Sequence, residues 1–293
     1  MGHQRSELSR QPHIIVATPG RLIDHLQQRT VRLDRVQILV LDEADRMLDM
    51  GFAPQIKQIL QSVPKQRQTL LFSATMPQEI VQIAASYMRM PVRVEVAPAG
   101  TMAATVTHEL FFVNKEDKQR LLESLLYQYK GSILVFSRTK YGAQKITRMV
   151  DNLGHKVAEI HSERTLNQRV EALNGFKSGK YRILIATDIA ARGIDVKEIE
   201  VVINYDLPDN PDDYLHRTGR TGRAGSEGHA ISFATPDQKR DVKDIERLMK
   251  KTMPVSTLPI TPTRKITPEE LRDPKPYSVF RGGPKGSRFG SRR

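Results

Sequence analysis

His216-Arg217-Thr218-Gly219-Arg220-Thr221-Gly222-Arg223 places three arginines within seven residues, spaced by glycines. The segment follows an apolar run at 201–205 and a proline, Pro211, that suits the first turn of a helix. Arginine is always charged and presents a planar fork of donors that fits phosphate oxygens. Gly219 and Gly222 let backbone approach a ligand closely. A cluster of this kind suits the charge that develops on a phosphoryl group in transfer. Its place after an apolar strand-like run and a helical turn points to an α/β domain with ligands at strand ends.

Working outward, other short motifs follow apolar runs in the same way. Thr18-Pro19-Gly20-Arg21 follows Ile14-Ile15-Val16-Ala17, and Asp42-Glu43-Ala44-Asp45 follows Ile38-Leu39-Val40-Leu41. Ser73-Ala74-Thr75 follows Thr69-Leu70-Leu71-Phe72, and later comes Ala186-Thr187-Asp188-Ile189-Ala190-Ala191-Arg192-Gly193-Ile194-Asp195. Apolar runs predict strands near 13–17, 37–42, 68–73 and 92–96, then near 107–113, 132–136, 156–161, 182–187, 201–205 and 229–234. Helical patterns lie near 20–28, 52–62 and 78–88, then near 116–129, 140–153, 166–178, 211–217 and 237–250. Such alternation builds parallel βαβ units with right-handed crossovers.

In order and spacing these motifs resemble those of the DEAD-box ATP-dependent RNA helicases of superfamily 2, and among them the bacterial RhlE-like branch. The resemblance runs from about Gly2 to about Lys251. It implies two RecA-like parallel-sheet domains: residues 1–98 as the C-terminal portion of the first, 99–106 as linker, and 107–252 as a complete second domain. A phosphate loop of the form G-x-x-x-x-G-K-[ST] belongs upstream of Thr-Pro-Gly-Arg in this family, and the sequence contains no such pattern. The stretch Gly175-Phe176-Lys177-Ser178-Gly179-Lys180-Tyr181 has the wrong glycine spacing and Tyr181 in the hydroxyl position. The first domain is therefore expected to be incomplete, the chain N-terminally truncated, and its own ATPase weak.

The resemblance also implies roles. Asp42 holds Mg²⁺ through water, and Glu43 orients and deprotonates the attacking water. Arg220 and Arg223 act as arginine fingers, while Gly193 and Asp195 face the nucleotide. Asp45 bonds to the second domain, Ser73 and Thr75 couple hydrolysis to strand separation, and Arg169 and His216 meet the acidic motif. Leu166 stands where the family often has Gln. Thr18, Gly20, Arg21, Ser137, Arg138 and Thr187 contact the RNA backbone, which positions a strand without reading its bases. The implied cofactors are ATP and Mg²⁺. Read alone, the residues leave simpler options open. The acidic motif suits a helix start, where the dipole favours carboxylates, and Ser73 or Thr75 suits an N-cap before Pro77. A zinc role for His161 and His216 has no ligand spacing behind it.

Composition frames these readings. The chain has 293 residues, 39% hydrophobic, a net charge of +13, no cysteine and no tryptophan. Absence of cysteine removes disulfides and thiolate metal sites and fits a cytoplasmic protein. No apolar run approaches the ~20 residues of a transmembrane helix. Residues 253–293 carry nine Lys and Arg against three Asp and Glu, with seven prolines and a Gly-Arg-Phe ending. Such a segment buries too little apolar surface to offset its chain entropy, so a disordered basic tail is expected there. Excess positive charge suits a polyanion such as RNA. An ATP-independent RNA-binding or annealing module, made of the second domain and tail, is the alternative function.

Overall fold

The computed structural model describes residues 2–95, 106–191, 196, 199–222 and 227–261. The chain divides into two compact units, Met1–Thr101 and Met102–Arg293.

In the first unit, β1 (Ile38–Leu41) pairs in parallel with β2 (Gln68–Leu71), with Ile38 opposite Gln68 and Leu41 opposite Leu71. Around them lie α1 (Gly2–Ser9), α2 (Pro19–Gln27), α3 (Ala44–Asp49), α4 (Ala53–Ser62) and α5 (Gln78–Tyr87). Apolar residues at helical spacing in α2 and α4, chiefly Ile23 and Ile59, close one small core with Val31, Leu33 and Val63. Leu41, Ile56, Leu60 and Ile83 close a second. One face of the two-stranded sheet is thus covered. On the other, Ile38, Val40 and Phe72 are more than half exposed. Helix α1 buries no residue, consistent with its lack of an apolar stripe.

Two expected strands do not form. Residues 13–17 and 92–95 run without strand pairing, leaving Ile14, Val16, Val92 and Val94 about four-fifths exposed or more. A β-strand needs a neighbour to satisfy its backbone donors and acceptors, and among the described residues these two segments have none.

The second unit holds a six-stranded, wholly parallel sheet. Its members are β3 (Val106–Phe112), β4 (Ile133–Phe136), β5 (Val157–Ile160), β6 (Ile183–Ala186), β7 (Val201–Asn204) and β8 (Gly228–Ala234). They lie in the order β3-β8-β7-β4-β6-β5. The central strands β4, β6 and β7 are buried throughout, as suits their largely apolar sequences. Alternation divides them between two cores. Ile133 and Val135 face the layer of α6 (Lys118–Gln128) and α7 (Lys140–Asn152). Leu134 and Phe136 face α8 (Leu166–Lys177). On the far half of that second face, α10 (Pro211–Thr218) and α11 (Lys239–Met249) pack through Tyr214, Val242 and Ile245. A short α9 (Asp188–Ala191) follows β6. Each fully buried Leu, Ile or Val contributes roughly 1.5–3 kcal/mol relative to exposure, so this unit is the strongly stabilised one.

The segment after Lys251 departs from expectation. Residues 253–261 are ordered along the outer edge of β3. Val255 bridges Leu110, Leu110 donates to the Pro254 carbonyl, and Ser256 donates back to the Leu110 carbonyl. Met253 is buried, Leu258 and Ile260 pack on the core, and Arg120 bonds to the Thr261 carbonyl. The edge of β3 offered unpaired backbone groups, and this apolar stretch satisfies them. Residues 262–293, the rest of the expected tail, lie outside the described residues. So does the expected linker except Val106, which opens β3.

Candidate functional site

In open α/β sheets, ligand-handling side chains gather at the carboxyl ends of the strands, and both units follow this rule. In the first, Asp42 and Glu43 leave the end of β1. Glu43 has φ 49° and ψ 49°, a left-handed conformation for a non-glycine residue, of the kind that recurs at functional sites. The turn is fixed by the Glu43 N–H donating to Asp42 Oδ1 at 2.9 Å and the Ala44 N–H donating to the Phe72 carbonyl at 3.0 Å. Both acidic side chains are exposed.

Asp45 lies behind them, buried. Its Oδ2 accepts from the Thr75 N–H at 2.7 Å and the Thr75 hydroxyl at 2.9 Å, and its Oδ1 accepts from the Arg46 N–H at 2.9 Å. Its own N–H donates to Ser73 Oγ at 3.1 Å. Burial pushes this carboxyl up, but the Thr75 and Arg46 hydrogen bonds outweigh burial and hold it below the usual carboxylate range. Within the first unit, both its oxygens are engaged, and they join the end of β1 to the end of β2.

Thr18, Gly20 and Arg21 form the N-terminal turn of α2, with Thr18 and Arg21 exposed. A Cβ on Gly20 would meet nothing within 4 Å, so local packing does not require glycine there.

In the second unit, Ser137 and Arg138 leave β4 and Thr187 and Asp188 leave its neighbour β6. Ser137 is fully buried: its N–H donates to the Ala186 carbonyl at 2.9 Å and its hydroxyl reaches Asp206 Oδ2 at 3.4 Å. It sets the loop that presents the more exposed Arg138. The Arg138 N–H also donates to Asp206 Oδ2, its guanidinium to the Leu207 carbonyl, and it pairs with Asp209 at 3.1 Å. Asp206 is clamped from below by Lys118 at 2.9 Å. Burial pushes the Asp206 carboxyl up; Lys118 and the Arg138 N–H hold it below its ordinary value nonetheless. Lys118 and Asp206 carry no motif, and nothing in their sequence neighbourhood announces them.

Helix α10 brings the arginine motif to the same strand ends. Asn210 caps it by accepting from the Asp212 N–H at 3.1 Å, and Pro211 fills its first turn. His216 is half-buried, and the Arg220 Nε donates to its carbonyl at 3.1 Å. Gly193, Asp195 and Arg223 lie outside the described residues. Arg217, given no role by the sequence reading, is nearly inaccessible. It shares one helical face with Tyr214 and Thr218, so the i, i+3, i+4 spacing of α10 is the signal that could have marked it. Burial pushes the Tyr214 hydroxyl up to about 12, and it remains protonated. Arg169, on α8, has a buried Nε without a hydrogen-bond partner. Leu166, at the start of α8, is two-thirds exposed.

Among the described residues no group of three or more His, Cys, Asp and Glu could cage a metal ion. Asp42 fits Mg²⁺ in another way. It is exposed, one of its oxygens is held by the Glu43 N–H, and a hydrated Mg²⁺ needs few carboxylates. No helix among the described residues is long and apolar enough to cross a membrane.

Both units of the chain match known protein families. Residues 1–83 match the family described as DEAD/DEAH box helicase, and residues 117–225 match the helicase conserved C-terminal domain. The ATP-dependent RNA helicase DbpA of Bacillus subtilis is 46% identical over 244 residues, covering 83% of this chain and 51% of the relative. The ATP-dependent RNA helicase CshA of Listeria monocytogenes is 43% identical, covering 86% of this chain and 49% of the relative. The chain thus spans about half the length of these curated relatives. Among solved structures, S. cerevisiae Dbp5 bound to RNA and ADP BeF3 aligns with a TM-score of 0.74 at 31% identity, covering 83% of this chain and 65% of that one. A DEAD box protein from Methanococcus jannaschii aligns at 0.52 and 40% identity, covering 83% and 66%.

Proposed function

The chain belongs to the DEAD-box RNA helicases, a family of ATP-using enzymes, and from that premise we propose that it serves ATP-dependent unwinding or remodelling of RNA through sequence-independent backbone contacts. The observation that carries this reading is the turn at the end of β1. It holds Glu43 in a left-handed conformation beside Asp42, with Asp45 locked behind them to Thr75.

In this proposal Asp42 holds a hydrated Mg²⁺, which would supply charge neutralisation to the phosphates. Glu43 takes the proton of the attacking water. Arg220 and Arg223 offset the charge of the transferred phosphoryl group, and Gly193 and Asp195 contact the nucleotide. Ser73, Thr75 and Asp45 tie the two strand ends of the first unit, and Arg169 and His216 answer to the acidic motif. Thr18, Gly20, Arg21, Arg138 and Thr187 meet the RNA backbone, with Ser137 holding Arg138 in place. A cytoplasmic location belongs to the same proposal.

Because the sequence contains no phosphate loop, this chain alone should hydrolyse ATP slowly; positioning of the phosphates supplies much of the rate in phosphoryl transfer. A second reading, an ATP-independent RNA-binding or annealing module, is favoured by one observation: the second unit has a finished sheet with both faces covered. Fusing the phosphate-loop segment of a family relative ahead of residue 1 separates the two. RNA-dependent ATP hydrolysis should appear, and Glu43→Gln should abolish it while nucleotide binding persists. Turnover within a few fold of the parent after Glu43→Gln would overturn the assignment of the base. No turnover in the fusion, with RNA binding intact, would favour the annealing module.

A further inference from the structure

Arg217 is the most heavily bonded side chain at the ends of the central strands. Its Nε and Nη2 fork onto the two oxygens of Asp188, the latter at 2.7 Å. Its Nη1 donates to Asn204 Oδ1 at 3.1 Å and to the Asp206 carbonyl at 2.6 Å. The guanidinium lies over the Phe136 ring, 5.0 Å from its centroid. One side chain of α10 therefore touches the ends of β4, β6 and β7 at once. Replacing such a buried pair with apolar residues is often neutral or stabilising, so stability alone does not account for it. What a bidentate fork gives that apolar packing does not is a fixed direction, since lysine, a point charge, cannot reproduce it.

The two ends of the fork lie at different functional elements. Asp188 is joined by a peptide bond to Thr187, whose N–H donates to the Ile160 carbonyl at 3.3 Å. Arg217 lies one residue after His216 and one helical turn before Arg220. The preceding turn of the same buried face of α10 is anchored separately. Tyr214 Oη accepts from Ser232 Oγ at 3.4 Å, pairs with His108 Nδ1 at 3.1 Å and donates to Met253 Sδ at 3.3 Å. The helix is thus fastened at Tyr214 and steered at Arg217, one turn apart.

We propose that Arg217 and Asp188 form a positioning device that carries RNA engagement at Thr187 into helix α10, setting the placement of His216 and Arg220. The proposal rests on the RNA-contact role given to Thr187 above. Its two sites are the Thr187 segment and the arginine helix, and the shared element is the fork.

Hydrogen exchange of the 1–293 chain, with and without a single-stranded oligouridylate, tests it. In the parent protein RNA should slow exchange in both the 183–190 and the 211–222 segments, by about tenfold, within the range usual for coupled sites. Arg217→Lys and Asp188→Asn should each keep the slowing at 183–190 and lose it at 211–222. A purely structural fork would raise baseline exchange in both segments and leave the RNA-dependent ratio in α10 unchanged. Should either variant fail to fold, the paired exchange of Arg217→Met with Asp188→Leu fills the same space without charge and should show the same loss. Variants that transmit RNA protection into α10 as the parent does would overturn the proposal, as would a parent that shows protection at 183–190 only. Protection in neither segment would remove the RNA role of Thr187 itself, and the device with it.

Discussion

Two parallel sheets, each containing apolar strands, end in opposite states. In the second unit β4, β6 and β7 are buried on both faces and sit between other strands. In the first, among the described residues, β1 and β2 have only each other, and Ile38, Val40 and Phe72 look outward. An apolar run specifies a strand only where a neighbour and a covering layer are available. The same rule explains why Ile14 and Val16, or Val92 and Val94, form no strand at all. The candidate sites differ as well: the first unit has a left-handed turn locked by hydrogen bonds, the second a buried ionic hub beneath Arg138.

The sharpest way to break this comparison is to cut equivalent holes in both sheets. Leu134→Ala in β4 should cost about 3–4 kcal/mol, because the buried site cannot collapse. Val40→Ala in β1 should cost under about 0.5 kcal/mol, since its side chain is half exposed. Denaturant melts read by hydrogen exchange, which separates the units where a single two-state fit does not apply, give both numbers. Equal costs would mean that the bare face of β1 is covered in solution.

Acid should discriminate next. Burial, with help from Lys251 and His229, pushes the His108 imidazole down to about 4. Its folded value lies below the unfolded ~6.5, so the unfolded chain takes the proton first. The stabilisation is whole above about pH 6.5, is lost as pH falls towards about 4, and is flat below that, with a loss of at most about 3 kcal/mol. Asp45 behaves in the same sense over a lower range of pH. Its lowered carboxyl keeps its contribution down to the ordinary carboxylate range and loses it only as pH falls further. Thermal melts between pH 7 and 4 should therefore soften the second unit through His108, and a His108→Asn variant should flatten that response. An unchanged slope in the variant would contradict the assignment.

The smallest effect is local. Thr75→Val removes one hydroxyl donor from Asp45 and leaves the Thr75 N–H in place, at a cost of about 1 kcal/mol. It should speed amide exchange at residues 73–75 without altering the second unit. No change there would show that the Asp45 lock does not hold the two strand ends together.

Much of this was legible in sequence, for reasons that differ by element. The central strands of the second unit were readable because β4, β6 and β7 are largely apolar runs, and α7 and α11 because their apolar positions recur at helical spacing. Helix α1 has no apolar stripe to read, and α3 and α9 are too short to show a period. The ordering of 253–261 was hidden by its prolines; the decisive fact, an open edge on β3, belongs to the tertiary structure. The positions of Asp42 and Glu43 at the end of β1, and of Arg220 just after α10, were readable from motifs. Lys118, Asn204 and Asp206 were not, since their importance comes from converging on one another and on Arg217 across long separations in sequence.

The most direct test of the account is a salt titration of single-stranded RNA binding by the 1–293 chain, using oligouridylate and oligoadenylate. Each neutralised phosphate contributes about 0.7 to the log–log slope on single strands. A chain that grips the backbone with Arg21, Arg138 and the basic residues beyond Thr261 should show a slope of about −3 or steeper, and deleting 262–293 should flatten it by about 2–3. The two RNAs should bind alike, because backbone contacts carry no base information. Binding that ignores salt, or that strongly prefers one of the two sequences, would contradict it.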